Sequence, residues 1–545
     1  MTTPDVTVVV AVYNTMPYLL RCLDSLLEQS IGHDRLEVVA VDDGSTDESG
    51  RVLDEYAEQH AGVIRVIHQP NSGGPAAPSN RALDVATGRY VFFLGSDDYL
   101  GPEALERMVA FADEHESDVV VGKMVGVNGR GVHQGLFADG NQVDVDVYGP
   151  KLRWAMANTK LFRRELIERL GLRYREDMPF GSDQPFTLAA CVHARRISVL
   201  ADYTCYYAVQ REDRSNISYK TPYEDRVDNI HAMMQAVADL VPPGPHRDTL
   251  LTRHFAWEIP RLLRQDLLDS PESAQRAVCA GVRRMADLWL TDEMLDELPV
   301  SPRLRVSAAR REDLDLLTEL VRDGRTAPDV IHLAEGHALA VLPGFGRADL
   351  PERLFRMAPV GVSGRLGELA RLGDVRVHDD ELHVEVRLPV TGADAAAAFS
   401  GRLDPVGPGG PLGSAAQVSK AGRLGSAGPV GKAGPPAPSA VAVTPVQVTG
   451  DGLTLDIVVD LGAVASSGPG PWRLVLCGEL DAGVFDVRLP APAHEQTARF
   501  WHRGRPHEVR VGRVPKGRAL AIEVGPLPTR DVARAALRRL RRSAG

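Results

Sequence analysis

Residues 6–27 read VTVVVAVYNTMPYLLRCLDSLL, and the passage from Val6 to Leu27 decides the fold. Val6–Val12 is a nearly continuous apolar run rich in β-branched residues. Such a run belongs to a strand of a parallel sheet that is covered on both faces. After Pro17 the leucines at 19, 20, 23, 26 and 27 recur at helical spacing, with the proline placed where a helix tolerates it. A buried strand leading into an amphipathic helix is half of a β-α-β unit, and the pattern repeats. Strands are predicted at 37–41, 63–68 and 90–94, and helices at 49–60 and 79–86. Repeated β-α units imply a doubly wound α/β sheet, whose ligand lies beyond the carboxyl ends of its strands.

From 102 to 220 the pattern continues less regularly, with helices predicted at 102–115, near 163–170 and at 185–194, and a strand at 118–125. From 222 to 330 the text is helical, with Leu and Arg at helical spacing and no Gly-rich turns. Beyond 335 short strands separated by Gly and Pro take over, at 375–378, 382–388, 453–459, 472–477, 507–511 and 520–524. These fit β-sandwich modules of immunoglobulin-like type. Residues 405–440 are mostly Gly, Pro, Ala and Ser; they cannot bury a core and read as a disordered loop or linker. Residues 530–542 set apolar side chains among six arginines and read as a short basic helix. The expected division is an α/β catalytic domain (1–222), a helical linker (223–334), a β-sandwich module containing the 405–440 loop (335–450), a second module (451–528) and the basic helix (529–545).

A chain of 545 residues has room for two to four domains of this kind. Its net charge of −11 argues against general affinity for nucleic acid, with a local basic patch left open. Five cysteines, an odd number with no CxxC pair, make a disulfide framework or zinc site unexpected and a reducing cytosol the simplest setting. The opening Met-Thr-Thr-Pro-Asp lacks the basic and apolar regions of a signal peptide, and no run of about 18 apolar residues occurs. The expectation is a soluble, cytoplasmic protein.

Four short passages carry candidate chemistry. Val41-Asp42-Asp43-Gly44-Ser45-Thr46-Asp47 ends the second strand in a turn rich in acceptors, though such turns also simply cap helices. Asn71-Ser72-Gly73-Gly74-Pro75 is a flexible loop after the third strand, and by itself is turn chemistry. Leu94-Gly95-Ser96-Asp97-Asp98-Tyr99-Leu100-Gly101 sets two adjacent carboxylates at the end of a buried strand. Like charges near a dry interior raise each other's free energy unless a cation or donors compensate. The pair is either a solvated turn or a site for a hard ion, Mg²⁺ or Mn²⁺, that would also hold a diphosphate. In Met178-Pro179-Phe180-Gly181-Ser182-Asp183-Gln184-Pro185-Phe186 a single carboxylate is flanked by apolar residues, which suits a general base. The alternative is that Ser182 or Asp183 caps the helix that follows.

In this order on this scaffold, the set resembles family 2 glycosyltransferases over roughly residues 4–220. The carriers are 8–14 (VVVAVYN), 41–45 (VDDGS), 71–80, 94–99 and Ser182-Asp183-Gln184. The resemblance implies a GT-A fold and a nucleotide-diphosphate sugar donor. By it, Ala11, Tyr13 and Asp42 line the nucleoside pocket, Asp42 facing uracil and Tyr13 near the base. Asn71, Gly74 and Ser96 lie against the nucleotide sugar. Asp97, with Asp98 beside it, holds Mn²⁺ or Mg²⁺ in the place of the family's DxD motif. Asp183 is the base that deprotonates the acceptor hydroxyl in a single inverting displacement. The segment 206–216 resembles the one that closes over the diphosphate, with Arg211 as a fork donor to phosphate or, alternatively, a solvated loop arginine. Three positions depart from the common pattern: Gly95 replaces the first Asp of DxD, Ser79 replaces an Arg (with Arg81 near), and Ser182 replaces a Glu.

The whole layout is similar to the wall teichoic acid β-N-acetylglucosaminyltransferases that act on poly(ribitol phosphate). That similarity implies GlcNAc transfer from a UDP-sugar to an anionic glycopolymer, trimer formation through the C-terminal β modules, and peripheral contact with the inner face of the cell membrane. Arg163, Arg164 and the arginines of the last helix suit a polyanionic acceptor, or are plain solvated faces. Two other readings stand beside this one: a transferase for an exopolysaccharide or capsule glycan, and a catalytically dead carbohydrate-binding scaffold. The retained Asp97, Asp98 and Asp183 argue against the scaffold.

Overall fold

The computed structural model describes residues 3–212, 223–392, 394–395, 398–405, 441–449, 452–466, 470–492, 494–502, 505–513 and 519–526. The chain forms two compact units, Met1–Leu298 with Arg305–Arg322, and Pro299–Leu304 with Asp323–Gly545.

In the first unit β1 (Val6–Val12) is buried at every position but Ala11, which is half-buried. It pairs in parallel with β2 (Leu36–Asp42) on one side and β4 (Tyr90–Gly95) on the other, and β3 (Ile64–His68) joins the far edge of β2. The connecting helices α1 (Tyr18–Leu27), α2 (Ser49–Gln59) and α3 (Ala76–Leu83) supply the cover that such apolar strands require. Helix α1 buries Leu19, Cys22, Leu23 and Leu26 on one face; each leucine contributes about 2 kcal/mol by leaving water. The register is the feature that matters for the site. Val12 lies opposite Asp42, Asp42 opposite His68, and Ala11 opposite Gly95, so the carboxyl ends of four strands finish in one row.

Beyond β4 the sheet departs from the all-parallel pattern that repeated β-α units suggest. Its order is β3-β2-β1-β4-β7-β6-β8-β5. Here β5 is Tyr99–Leu100, β6 Val119–Val127, β7 Leu161–Arg163 and β8 Ile197–Val209. Strand β7 runs antiparallel to both β4 and β6, and β5 runs antiparallel to β8. The helix predicted near 163–170 is α5 (Arg164–Leu170), and the three-residue β7 precedes it. Helix α4 spans Ala104–Glu114, and α6 begins at Asp183 and ends at His193. Strand direction and order change next to β4, and a crevice outside a sheet opens at such a change.

Residues 223–323 are helical, as their spacing suggests, with the longest segments at Tyr223–Leu240 and Glu272–Trp289. Among the described residues no helix is long and apolar enough to cross a membrane.

The second unit is a two-sheet β structure with a small third sheet at 331–340 and 390–391. Arg371–His378, Glu381–Leu388, Gly452–Asp460 and Val441–Thr449 form one sheet, and Phe399–Pro405, Gly470–Leu480, Leu520–Pro526, Arg505–Arg513 and Gln496–His502 form the other, with Gly483–Arg488 beside Gly470–Leu480. Leu382, Val384, Val386 and Leu388 are buried while the residues between them are not, the period-two signature of a half-covered strand. They share one core with Leu455, Ile457, Leu474, Leu476, Val509 and Ile522. The division expected at 450 runs between two paired strands of one sheet, and Phe399–Pro405 pairs across it with Gly470–Leu480. Strand exchange between the two halves thus makes a single packed unit. The 406–440 part of the Gly/Pro-rich loop and the basic helix at 529–545 lie outside the described residues.

Candidate active site

The row of strand ends carries loops that are tied to one another. Asn14, after β1, adopts a left-handed conformation with φ 47°, which Asn tolerates better than most residues. That turn lets its backbone N–H donate to Ser45 Oγ (3.1 Å) while its Oδ1 accepts from the backbone N–H of Thr46 (2.7 Å) and Asp47 (3.2 Å). The hydroxyls of Thr15 and Ser96 lie 2.9 Å apart, joining the loop after β1 to the one after β4. Tyr13, the residue before Asn14, is 47% exposed.

At the end of β2, Asp42 is buried yet well supplied with donors. Its Oδ1 accepts from the Ser45 backbone N–H (3.0 Å), and its Oδ2 lies 2.9 Å from His68 Nδ1. Burial would raise its pKa, but the bonds from Ser45 and His68 outweigh it and hold the carboxyl below its ordinary value. Asp43 organises the loop after β3. It accepts from Gln69 Nε2 (2.6 Å), Ser72 Oγ (2.9 Å) and the Ser72 backbone N–H (3.0 Å). Asn71 reinforces the loop by donating to the Asp43 carbonyl (3.0 Å) and accepting from the Gly73 N–H (3.2 Å). At Gly74 a Cβ would stand 3.2 Å from the Pro179 backbone, so this glycine allows the loop to meet the passage that leads to Asp183.

The two carboxylates after β4 have separate surroundings. Asp98 turns inward, accepting from the Tyr206 hydroxyl (2.5 Å) and the Val209 backbone N–H (2.6 Å). Burial first, then the charge of Asp97, push its pKa up against those two donors. Asp97 instead faces Arg211, whose Nε donates to Oδ2 at 2.7 Å. Gly95 has a steric reason: a Cβ there would come within 2.7 Å of Asp98 Oδ2 and 3.3 Å of the Tyr206 hydroxyl. The Asp98 carboxylate, with Asp97 Oδ1 and the Tyr206 hydroxyl each at 3.3 Å, thus crowds the space a side chain would need at position 95. Among the described residues no three His, Cys, Asp or Glu side chains gather as a metal cluster. Of the two carboxylates, Asp97 is the one that meets a cation, in an ion pair with Arg211.

Asp183 is the first residue of α6, and Ser182, at the cap position, makes no side-chain capping bond. Burial raises the pKa of Asp183, while Arg253, Lys160 and the backbone N–H groups of Asn158 and Asp183 pull it down. A carboxyl with a raised pKa beside cations is suited to hold a proton transiently. Lys160 is 1% exposed, donates to the Ala157 carbonyl, and is pushed by burial down to about 8. Behind it, Arg253 Nη1 reaches Gln184 Oε1 (2.6 Å) and Glu258 Oε1 (2.8 Å), and His254 Nδ1 lies 3.3 Å from Glu258 Oε2. Burial would raise the Glu258 pKa, but Arg253 and His254 hold it at about 2.

The structure therefore brings Ala11, Asp42, Asn71, Gly74, Ser96 and Asp97 to one row of strand ends and their loops. Arg211 joins them through Asp97, and Asp183 adjoins through the Gly74–Pro179 contact. Ser79, where an arginine is commonly found, is buried in α3. The sequence reading includes Asp43 and Tyr206 in its motifs without giving them a role, and it passes over His68, Lys160, Arg253 and Glu258. A histidine in register with Asp42, and a lysine between Asn158 and a predicted buried helix, were the available signals.

Residues 7–171 match the model of glycosyl transferase family 2, and 223–321 match the glycosyl transferase TarS linker domain. The poly(ribitol-phosphate) β-glucosyltransferase of Bacillus spizizenii is 30% identical over 366 residues, 65% of this chain and 56% of the relative. The poly(ribitol-phosphate) β-N-acetylglucosaminyltransferase TarS of Staphylococcus aureus is 35% identical over 255 residues, 46% of this chain and 44% of the relative. A crystal structure of residues 1–349 of S. aureus TarS in complex with UDP-GlcNAc superposes with a TM-score of 0.53 at 28% identity, covering 63% of this chain and 97% of that one. The chain spans about half the length of the curated relatives it matches. With the family's match running from β1 to the end of α5, the helical segment matching a transferase linker and transferases among its relatives, the chain belongs to glycosyltransferase family 2.

Proposed function

We propose that the chain is an inverting transferase that moves a sugar, GlcNAc, from a UDP donor to a poly(ribitol phosphate)-type polymer. The observation that carries this reading is the row of strand ends, with Asp42 at one place, Asp97 at another, and Asp183 reached through the Gly74–Pro179 contact. Asp42 accepts from the uracil N3–H, with Ala11 and Tyr13 against the base. Asn71, Gly74 and Ser96 line the donor. Asp183 takes the proton of the acceptor hydroxyl, whose oxygen attacks the anomeric carbon opposite the departing diphosphate, and Arg211 receives that diphosphate. A divalent ion, Mn²⁺ or Mg²⁺, fits this donor set. Asp97 offers one hard oxygen, and such ions keep water and take diphosphate oxygens for the rest of their shell. When bound, the ion neutralises charge on the leaving diphosphate. The names of the relatives support the acceptor, and the UDP-GlcNAc complex of TarS supports the donor. The same reading has the chain working as a trimer, joined through its C-terminal unit, at the cytoplasmic face of the membrane.

The test is turnover of UDP-GlcNAc, UDP-glucose, GDP- and CDP-sugars by the full chain with poly(ribitol phosphate), with Mn²⁺ and with EDTA. UDP-sugars should be consumed and the polymer should gain mass in sugar increments, with transfer lost in EDTA. Asp183→Asn should lower transfer about 10³-fold while UDP binding by calorimetry stays the same. Turnover of no donor under any condition would favour the carbohydrate-binding reading, and retained transfer in Asp183→Asn would put the base elsewhere.

A further inference from the structure

His68 ends β3 with its ring between two carboxylates. Its Nδ1 lies 2.9 Å from Asp42 Oδ2, and its Nε2 lies 2.9 Å from Asp54 Oδ1 on α2. A neutral imidazole carries one N–H, so it can donate to only one of the two; both contacts are satisfied together only by the imidazolium. The hydrogen bonds to Asp54, and then to Asp42, raise the His68 pKa against a smaller opposing effect of burial. The ring is half-exposed, so it titrates with the solvent. The charged groups facing it are Asp42 from β2 and Asp54 from α2, and a Cβ at Gly50 of α2 would stand 2.9 Å from the same Asp42 oxygen and 3.8 Å from His68 Cε1.

Asp42 is thereby held from both sides, by Ser45 through Oδ1 and by His68 through Oδ2. Held below its ordinary value, Asp42 is an ionised carboxylate that accepts and cannot donate, so what the two clamps set is the orientation of its remaining lone pairs. That orientation matters for a pyrimidine, because uracil presents an N3–H donor and cytosine an N3 lone pair. We propose that His68 is a specificity-determining positioning residue, which by bridging Asp54 and Asp42 fixes the orientation in which the Asp42 carboxylate meets the base and so favours a base with an N3–H over one with an N3 lone pair. This inference rests on the donor reading given above, in which Asp42 meets the base.

The sign follows from the ring. Below the raised His68 pKa both carboxylates are clamped and discrimination is greatest. As pH rises through that pKa one end of the clamp is lost and discrimination narrows. The experiment is calorimetric binding of UDP and CDP to the full chain between about pH 6 and 8, which starts near the ordinary histidine pKa and stays below the ionisation of the uracil N3–H. Wild type, His68→Gln and Asp54→Asn are compared, and the readout is the ratio of the two affinities. The wild-type ratio should shrink about five-fold across the range, the worth of one hydrogen bond. His68→Gln should show the low ratio at every pH, and Asp54→Asn should narrow it at lower pH than wild type does. A merely structural histidine would weaken both ligands together, so an unchanged ratio and unchanged pH profile in the variants overturn the inference. Wild type binding neither nucleotide would defeat the donor reading itself, and this inference with it; wild type binding UDP with variants indistinguishable from it defeats only the role of His68.

Discussion

Position 95 shows how one side chain's absence shapes a site. The Tyr206 hydroxyl donates to Asp98 and lies 3.2 Å from the Gly95 N–H, which donates to it, so the phenol is built into the turn from both sides. A methyl group at residue 95 would have to displace Asp98 Oδ2, which accepts from Tyr206 while Val209 holds Oδ1 of the same carboxylate, so it cannot retreat freely. Gly95→Ala should therefore cost about 1–3 kcal/mol, as overpacking of a tight interior does, read as a lower urea midpoint. Gly95→Asp, which restores the common residue, should cost more, because it adds a third carboxylate to a corner where Asp98 already resists ionisation. Unaltered unfolding of Gly95→Ala would mean that Asp98 and Tyr206 can move aside. The sequence pattern alone shows only a missing carboxylate; that the Asp98 carboxylate and a tyrosine 111 residues away crowd its place is visible only in the fold.

At the level of elements, the first four strands were legible because each is a long apolar run whose ends are marked by turn residues. The part built by distant pairing was not. Strand β7 has three residues, too few to show a period, and it is a strand only because Phe92 and Val120 flank it. The 13-residue β8 mixes Tyr, Thr, Asp and Cys, and its order comes from pairing with β6 and β5. The helical segment hid its chemistry differently. Arg253 and Glu258 sit in text that reads as a solvated Leu/Arg helix, but both are under one-tenth exposed and joined to Gln184 beside Asp183. Removing one partner of such a buried pair strands the other, so Glu258→Gln should cost about 3–5 kcal/mol at neutral pH. The Glu258 pKa is depressed, to about 2 from 4.5, so its contribution is full above the unfolded value and is lost as pH falls toward 2. Denaturant unfolding of wild type and variant should differ most above about pH 5 and converge in acid. A gap that persists unchanged to pH 2 would show that packing, and not the charge, carries the effect.

Over the whole molecule, the second unit raises the question of what its sheet edges do. Arg371–His378 and Val441–Thr449 are the outer strands of one sheet, and Phe399–Pro405 and Gln496–His502 the outer strands of the other. An outer strand presents unpaired backbone groups on one side, which natural proteins cover, charge or pair. Arg371–His378 carries Arg371, Asp374, Arg376 and His378, charges that blunt a free edge. Phe399–Pro405 ends in a proline, which has no N–H to donate to a further strand. Joining copies through this unit must therefore rely on faces or on edges not so protected. The proposed trimer makes a definite expectation: the full chain, in multi-angle light scattering at micromolar concentration, should have the mass of three 59.1 kDa chains. Its mass should also hold at high salt if apolar faces make the joint, and fall if the charged edges do. A single-chain mass at every concentration and ionic strength would remove the trimer from the reading and leave the transferase site untouched, because the residues assigned to it all lie in the first unit.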